Sequence, residues 1–105
     1  VWIRESRFRS ALQGSCADYI YAPLDQLAKA PNTLSLEECA ALPLVGLTAW
    51  QALSPVVKEE KSNVLVIGGS GGTGHVALQV AKALGAKEVV TICSTRNVEF
   101  VKECG

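Results

Sequence analysis

The sequence predicts an α/β fold built on a parallel sheet, and three features from Asn63 onward carry that prediction. Val64-Leu65-Val66-Ile67 is a continuous apolar run, as expected of a parallel strand covered on both faces. A glycine-rich stretch follows at once, in which Gly69, Gly71 and Gly74 fit G-x-G-x-x-G. Residues after Gly74 then keep a helical period, with Val76, Ala77, Val80, Ala81 and Leu84 on one side and Gln79 and Lys82 turned away.

From the start of the chain, Val1 to Gln13 has no clear period and reads as an irregular segment, with Arg4, Arg7 and Arg9 as a solvated face. Ala17 to Ala22 alternates like a strand, between Gly14-Ser15 and Pro23. Leu24 to Pro31 reads as a turn and a short extended piece. Ser35-Leu36-Glu37-Glu38 is a capping box ahead of an apolar run, so a helix starts there. Pro43 ends or kinks that helix, and Leu44 to Leu53 resumes with Leu47, Trp50 and Leu53 toward a core. Ser54 to Ser62 is an exposed connection. Beyond the glycine stretch, Gly85 suits a left-handed helix end, Val89 to Cys93 reads as the second parallel strand, and Val98 to Cys104 as a helix capped by Ser94 or Thr95.

Between a strand and a helix, G-x-G-x-x-G is the fingerprint of a Rossmann-type dinucleotide fold, here in its first βαβα portion. One glycine permits the sharp turn, one admits a pyrophosphate without a Cβ in the way, and one lets the helix lie close. The unpaired N–H groups of the first helical turn then point at the phosphates, and the helix dipole adds favourable positive potential. Ser70 and Thr73 add hydroxyl donors. A P-loop would require Lys and then Ser or Thr after Gly74. The chain has His75 and Val76 there, so triphosphate hydrolysis is excluded.

The end of the second strand selects the cofactor. A fold specific for NAD carries Asp or Glu there for the ribose 2′-hydroxyl. Cys93, Ser94 and Thr95 include no carboxylate, while the Ser94 hydroxyl and Arg96 guanidinium suit a 2′-phosphate. The reading is NADPH.

Composition narrows the function classes. With 49% hydrophobic and 19% charged residues the 105-residue chain reads as globular. Its net charge of zero, with acids and bases interspersed, gives no field for nucleic acid and no polybasic membrane patch. The longest apolar stretch, near Cys39 to Leu47, is interrupted by Pro43 and too short for a bilayer span. No signal peptide is read, so an intracellular setting is expected, whether cytoplasm or organelle. Cys16, Cys39, Cys93 and Cys104 are scattered, with no C-x-x-C and a single histidine, so no metal site is expected. Cys93 and Cys104 read as small buried residues, and His75 as a packed or exposed side chain. Two strands and two helices leave a sheet edge and an apolar face uncovered. The expectation is part of a larger enzyme, inactive by itself.

GSCADYIYAP, ALPLVGLTAWQAL, VLVIGGSGGTGHVALQVAKALGA and ICSTRNVEFVKECG together resemble landmarks of the medium-chain dehydrogenase/reductase superfamily. They are most similar to its zinc-independent quinone oxidoreductase group, over about Gly14 to Gly105. The resemblance implies the tail of a GroES-like catalytic domain over 1–34, a helical connection over 35–62 and the first half of a Rossmann domain over 63–105. It further implies hydride transfer from NADPH to a quinone or an α,β-unsaturated carbonyl, with a small-molecule substrate and a homodimer left open. Gly69, Ser70, Gly71, Gly72, Thr73 and Gly74 match the pyrophosphate turn, with Gly69 and Thr73 standing where alanine and valine are commoner. Ser94 and Arg96 match the adenosine phosphate region. Thr48 matches a threonine near the nicotinamide, and it reads equally well as a threonine bonded to a helical carbonyl. No catalytic acid, base or nucleophile is assigned, since protonation after hydride delivery can come from solvent. A zinc-type alcohol dehydrogenase and a non-enzymatic NADPH-binding relative stay open as alternatives.

Overall fold

The computed structural model describes residues 2–3 and 16–105, which fall into two compact units, Val1–Leu44 and Val45–Gly105. In the first unit, β1 (Trp2–Ile3) pairs antiparallel with β2 (Leu27–Ala28), Trp2 opposite Ala28 and Ile3 opposite Leu27. The first stretch was expected to be irregular throughout. A two-residue strand whose partner lies far along the chain leaves no local periodicity to read. Arg4, Arg7, Arg9 and Gly14-Ser15 lie outside the described residues.

The strand expected over Ala17–Ala22 does not form. Residues 16–18 bend, the rest is irregular, and Tyr19 and Tyr21 are almost wholly exposed. Alternation gives a strand only when a neighbour completes the ladder, and no described strand pairs with this stretch. A 3₁₀ turn at Leu24–Gln26 leads into β2, the expected turn and short extended piece.

Helix α1 (Leu36–Ala41) starts on the capping box. Ser35 Oγ accepts the Glu38 N–H at 3.3 Å, and a Glu38 carboxylate oxygen accepts the Ser35 N–H at 2.8 Å. The chain then breaks at Leu42 and restarts as α2 (Pro43–Leu53). Proline fits the first helical position because its missing N–H would have no partner there. Ala49 is buried, Val45 and Leu53 are half-buried, and Leu47 and Trp50 are exposed, contrary to expectation. A helix apolar on every side has no single face for periodicity to single out. The residues that turn inward, Val45, Ala49 and Leu53, are spaced at i, i+4 and i+8.

In the second unit, β3 (Asn63–Ile67), α3 (Gly72–Ala83) and β4 (Glu88–Ile92) make one βαβ module. The strands run parallel, from Asn63 opposite Glu88 to Ile67 opposite Ile92. α3 packs on both strands. Ala77, Leu78 and Ala81 are buried while Val76, Val80 and Leu84 are half-buried, so Leu78 joins the face read from the sequence. Burying one leucine contributes about 1.5–3 kcal/mol. Only one sheet face is covered: Val64, Val66, Val89 and Thr91 are half-buried, and Leu65, Ile67, Val90 and Ile92 are exposed. The strand was read as covered on both faces, whereas the second face has no partner among the described residues.

Gly85 ends α3 at φ 77°. Its N–H reaches Lys82 O at 2.9 Å and the Ala86 N–H reaches Ala81 O at 3.1 Å, which completes a Schellman motif. The 54–62 connection is tied here, with Glu60 N–H on Gly85 O at 2.8 Å and Lys87 N–H on Ser62 O at 2.9 Å. After β4 comes a 3₁₀ turn, Thr95–Asn97, and then α4 (Val98–Glu103). All four cysteines are free thiols, Cys39 buried and Cys93 and Cys104 half-buried. Among the described residues no helix is long and apolar enough to cross a membrane, and no group of three or more His, Cys, Asp or Glu could hold a metal ion.

The Ser35 N–H and then the Ser35 hydroxyl hold the Glu38 carboxyl below its ordinary value of 4.5. With the folded value lowered, the contribution to stability is complete above the ordinary value and is lost as pH falls through the folded one. Thermal melts should show wild type more stable than Glu38→Gln at neutral pH, with the gap closing on acidification. A gap that persists in acid would disprove the linkage.

Candidate nucleotide-binding site

The glycine turn lies at the carboxyl ends of both parallel strands, where open α/β sheets receive ligands. Ile92 O at the end of β4 accepts the N–H groups of Gly68 (2.8 Å) and Gly69 (3.2 Å), which fixes the turn to the sheet. Gly68, at φ 81°, makes the left-handed bend. The sequence reading assigned the sharp turn to the fingerprint glycines, and the structure moves it one residue earlier. A Gly-Gly pair directly after a strand is the signal that could have located it.

Each fingerprint glycine answers a different constraint. A Cβ on Gly69 would collide with Thr91 Oγ1 and lie 3.0 Å from Thr91 Cβ. That threonine cannot easily yield, because its hydroxyl donates to Val66 O across the strands at 2.8 Å. A Cβ on Gly74 would collide with Gly68 O and lie 2.9 Å from Gly69 Cα, so only glycine lets the helix start this close to the turn. At Gly71 a Cβ would meet Gly68 O at 3.3 Å and nothing else, which leaves that position open outward. A Cβ on Gly72 would lie at ordinary contact distance, 3.7 Å, from Val45 Cγ1 of α2.

Gly71 is the N-cap of α3, extended at φ −77° and ψ 167°, with no side-chain cap. The helix thus begins three residues before the sequence pattern places it, its first turn made of Gly72, Thr73 and Gly74. Poor helix formers are held there by the packing of Gly74 rather than by propensity. Among the described residues the N–H groups of Ser70, Gly72, Thr73 and Gly74 have no acceptor. Four free amides at a helix N-terminus, with the dipole behind them, make a surface able to receive an oxyanion.

His75 closes the back of the turn. Its backbone N–H (3.0 Å) and ring Nδ1 (2.9 Å) both lie on Gly71 O, so Nδ1 carries the proton, and the ring rests against Phe100 with centroids 5.9 Å apart. Of the packed and exposed roles read from the sequence, the structure shows the packed one.

Ser94 and Arg96 stand beside the turn. Ser94 is extended ahead of the 3₁₀ turn and its hydroxyl makes no cap bond. Arg96 is exposed within that turn. The N-cap of α4 is Asn97, not Ser94 or Thr95, and its side chain does not cap the helix. Instead Asn97 Nδ2 donates to Ser70 Oγ at 3.0 Å, while the Asn97 N–H donates to Ser94 O at 2.9 Å. Tertiary pairing has redirected a side chain that local sequence assigns to nothing. Thr48 sits mid-α2, three residues after Val45. The structure therefore joins residues 68–74 to residues 94–97 through Asn97.

No protein-family model matches the chain. The chloroplast envelope quinone oxidoreductase homolog of Arabidopsis thaliana is 41% identical over 98 residues, 88% of this chain and 30% of the relative. The mitochondrial NAD(P)H oxidoreductase RTN4IP1 of Danio rerio is 37% identical over 89% of this chain and 25% of its own length. Among solved structures, the quinone oxidoreductase from Coxiella burnetii superposes with a TM-score of 0.72 at 42% identity, over 80% of this chain and 26% of that one. An NAD-dependent alcohol dehydrogenase reaches a TM-score of 0.78 at 36% identity, over 88% and 27%. The chain thus spans about a third or less of the length of the proteins it matches.

Two glycine substitutions separate packing from binding. Gly74→Ala should lower stability by about 1–3 kcal/mol in urea unfolding. Gly71→Ala should leave the unfolding midpoint nearly unchanged and weaken ADP binding about tenfold by calorimetry. Equal stability losses for the two would contradict the roles given. The shared fold, the glycine turn at the strand ends and these likenesses converge: the chain belongs to the medium-chain dehydrogenase/reductase superfamily.

Proposed function

We propose that this chain supplies the pyrophosphate- and adenosine-binding part of an NADPH-dependent oxidoreductase that reduces a quinone or an α,β-unsaturated carbonyl. One observation carries the reading. Four free amides at a helix N-terminus are tied, through Asn97, to a turn that bears Ser94 and Arg96. The residues present fit a diphosphate: Gly71 is open outward, and no carboxylate lies within residues 68–74 to repel an anion.

In this reading the amides of Ser70, Gly72, Thr73 and Gly74 hold the pyrophosphate oxygens, and the Ser70 and Thr73 hydroxyls add donors. Gly69 and Gly74 keep strand and helix close enough for those amides to converge. Ser94 and Arg96 take the 2′-phosphate, the guanidinium by charge-assisted hydrogen bonds. Thr48 lies toward the nicotinamide. The bound dinucleotide supplies a hydride, and the chain's own part is position and electrostatics. Residues 1–34 belong to a GroES-like catalytic domain, 35–62 to a helical connection and 63–105 to the first half of the Rossmann domain. Names of relatives support the substrate class: quinone oxidoreductases occur in both comparisons.

A second reading, an alcohol dehydrogenase using NAD, is favoured by the likeness to such an enzyme at 36% identity. Parallel titrations of NADPH and NADH in the intact protein decide between them. Arg96→Ala should weaken NADPH by about tenfold or more and leave NADH unchanged, and Ser94→Asp should reverse the preference. Equal effects of Arg96→Ala on both dinucleotides would remove NADPH from the proposal.

A further inference from the structure

Ser70 and Ser94 occupy opposite edges of the proposed site, on turns 24 residues apart in sequence. A single side chain spans the gap. Asn97 takes its backbone N–H to Ser94 O at 2.9 Å and its side-chain Nδ2 to Ser70 Oγ at 3.0 Å, the latter bond half-buried. Ser94 O, Asn97 and Ser70 Oγ therefore form one continuous chain of hydrogen bonds between the turn after β4 and the glycine turn.

The direction of the second bond matters. A serine hydroxyl has one proton and two lone pairs. With a lone pair engaged by Asn97, the Ser70 proton is left for another acceptor, and no protein acceptor takes it among the described residues. Ser70 lies in the same turn as the free amides of Gly72, Thr73 and Gly74. An oxyanion received by those amides would accept that proton as well. A hydroxyl already polarised as an acceptor is a better donor, because hydrogen bonds in a chain strengthen one another.

We propose that Asn97 is a positioning residue for diphosphate recognition, acting through Ser70. It aims the Ser70 hydroxyl proton at the ligand and holds the glycine turn at a set distance from the Ser94–Arg96 turn. The inference rests on the dinucleotide reading above and adds a residue to it. Asn97 need not touch the ligand.

A double-mutant cycle in the intact protein, read as the Kd for ADP, NADPH and NADH, tests it. Asn97→Ala and Ser70→Ala should each weaken ADP by roughly fivefold to tenfold. The double variant should be no weaker than the weaker single, because Asn97 has no effect once Ser70 loses its hydroxyl. Asn97→Asp keeps an acceptor but loses the donor, so it should capture the Ser70 proton and weaken ADP more than Asn97→Ala does. Additive losses in the cycle, or wild-type affinity in Asn97→Asp, overturn the inference whichever dinucleotide is preferred. Preference of wild type for NADH overturns the 2′-phosphate assignment alone, since ADP lacks that group and the cycle is still read. Absence of binding by all three ligands overturns both.

Discussion

Everything in the second unit depends on how closely α3 can begin against the turn that precedes it. A Cβ at Gly74 would drive into the peptide of Gly68 and Gly69. Its absence lets the first helical turn stand at the ends of β3 and β4 with its amides facing outward. The same approach leaves Gly69 against Thr91, whose hydroxyl is already committed to Val66 O. Backbone and sheet are thereby locked on two sides, and the free N–H groups are presented without any side chain having to place them.

The site extends outward from that constraint. Ile92 O fastens the turn to the far strand, His75 fastens its N-cap carbonyl from behind, and Asn97 fastens Ser70 from the side. None of these three contacts uses an unpaired amide. The protein has satisfied the groups around the turn and left unsatisfied those a ligand oxyanion would satisfy. Unpaired donors at a helix start are stabilised when an anion arrives, and the helix dipole adds to that preference.

The exposed face of the βαβ module carries a second physical message. Leu65, Ile67, Val90 and Ile92 form an apolar stripe that α3 does not reach. Parallel strands normally have both faces covered, and the matched proteins are more than three times the length that this chain spans in them. Among the described residues the packing that stabilises the βαβ module comes from one buried face.

Local chemistry alone determined a good deal of this protein. The strand, glycine turn and helix of 63–85, the second strand, the capping box at Ser35 and the restart at Pro43 all depend on neighbours within a few residues, and all were legible. The steric demand on Gly74 likewise arises within one tight turn, from Gly68 and Gly69, whereas that on Gly69 comes from Thr91 on the second strand. Pairings across long stretches of chain were not legible. Trp2–Ile3 gained a partner in β2, the alternating stretch at Ala17–Ala22 gained none, and α2 turned Ala49 inward where Leu47 and Trp50 were expected. The left-handed bend fell on Gly68, and Asn97 bonded across to Ser70 and left its helix uncapped. Hydrogen bonds and packing between distant segments have no periodic trace in sequence; the folded arrangement alone decided them, by bringing one segment's unused donors against another's unused acceptors.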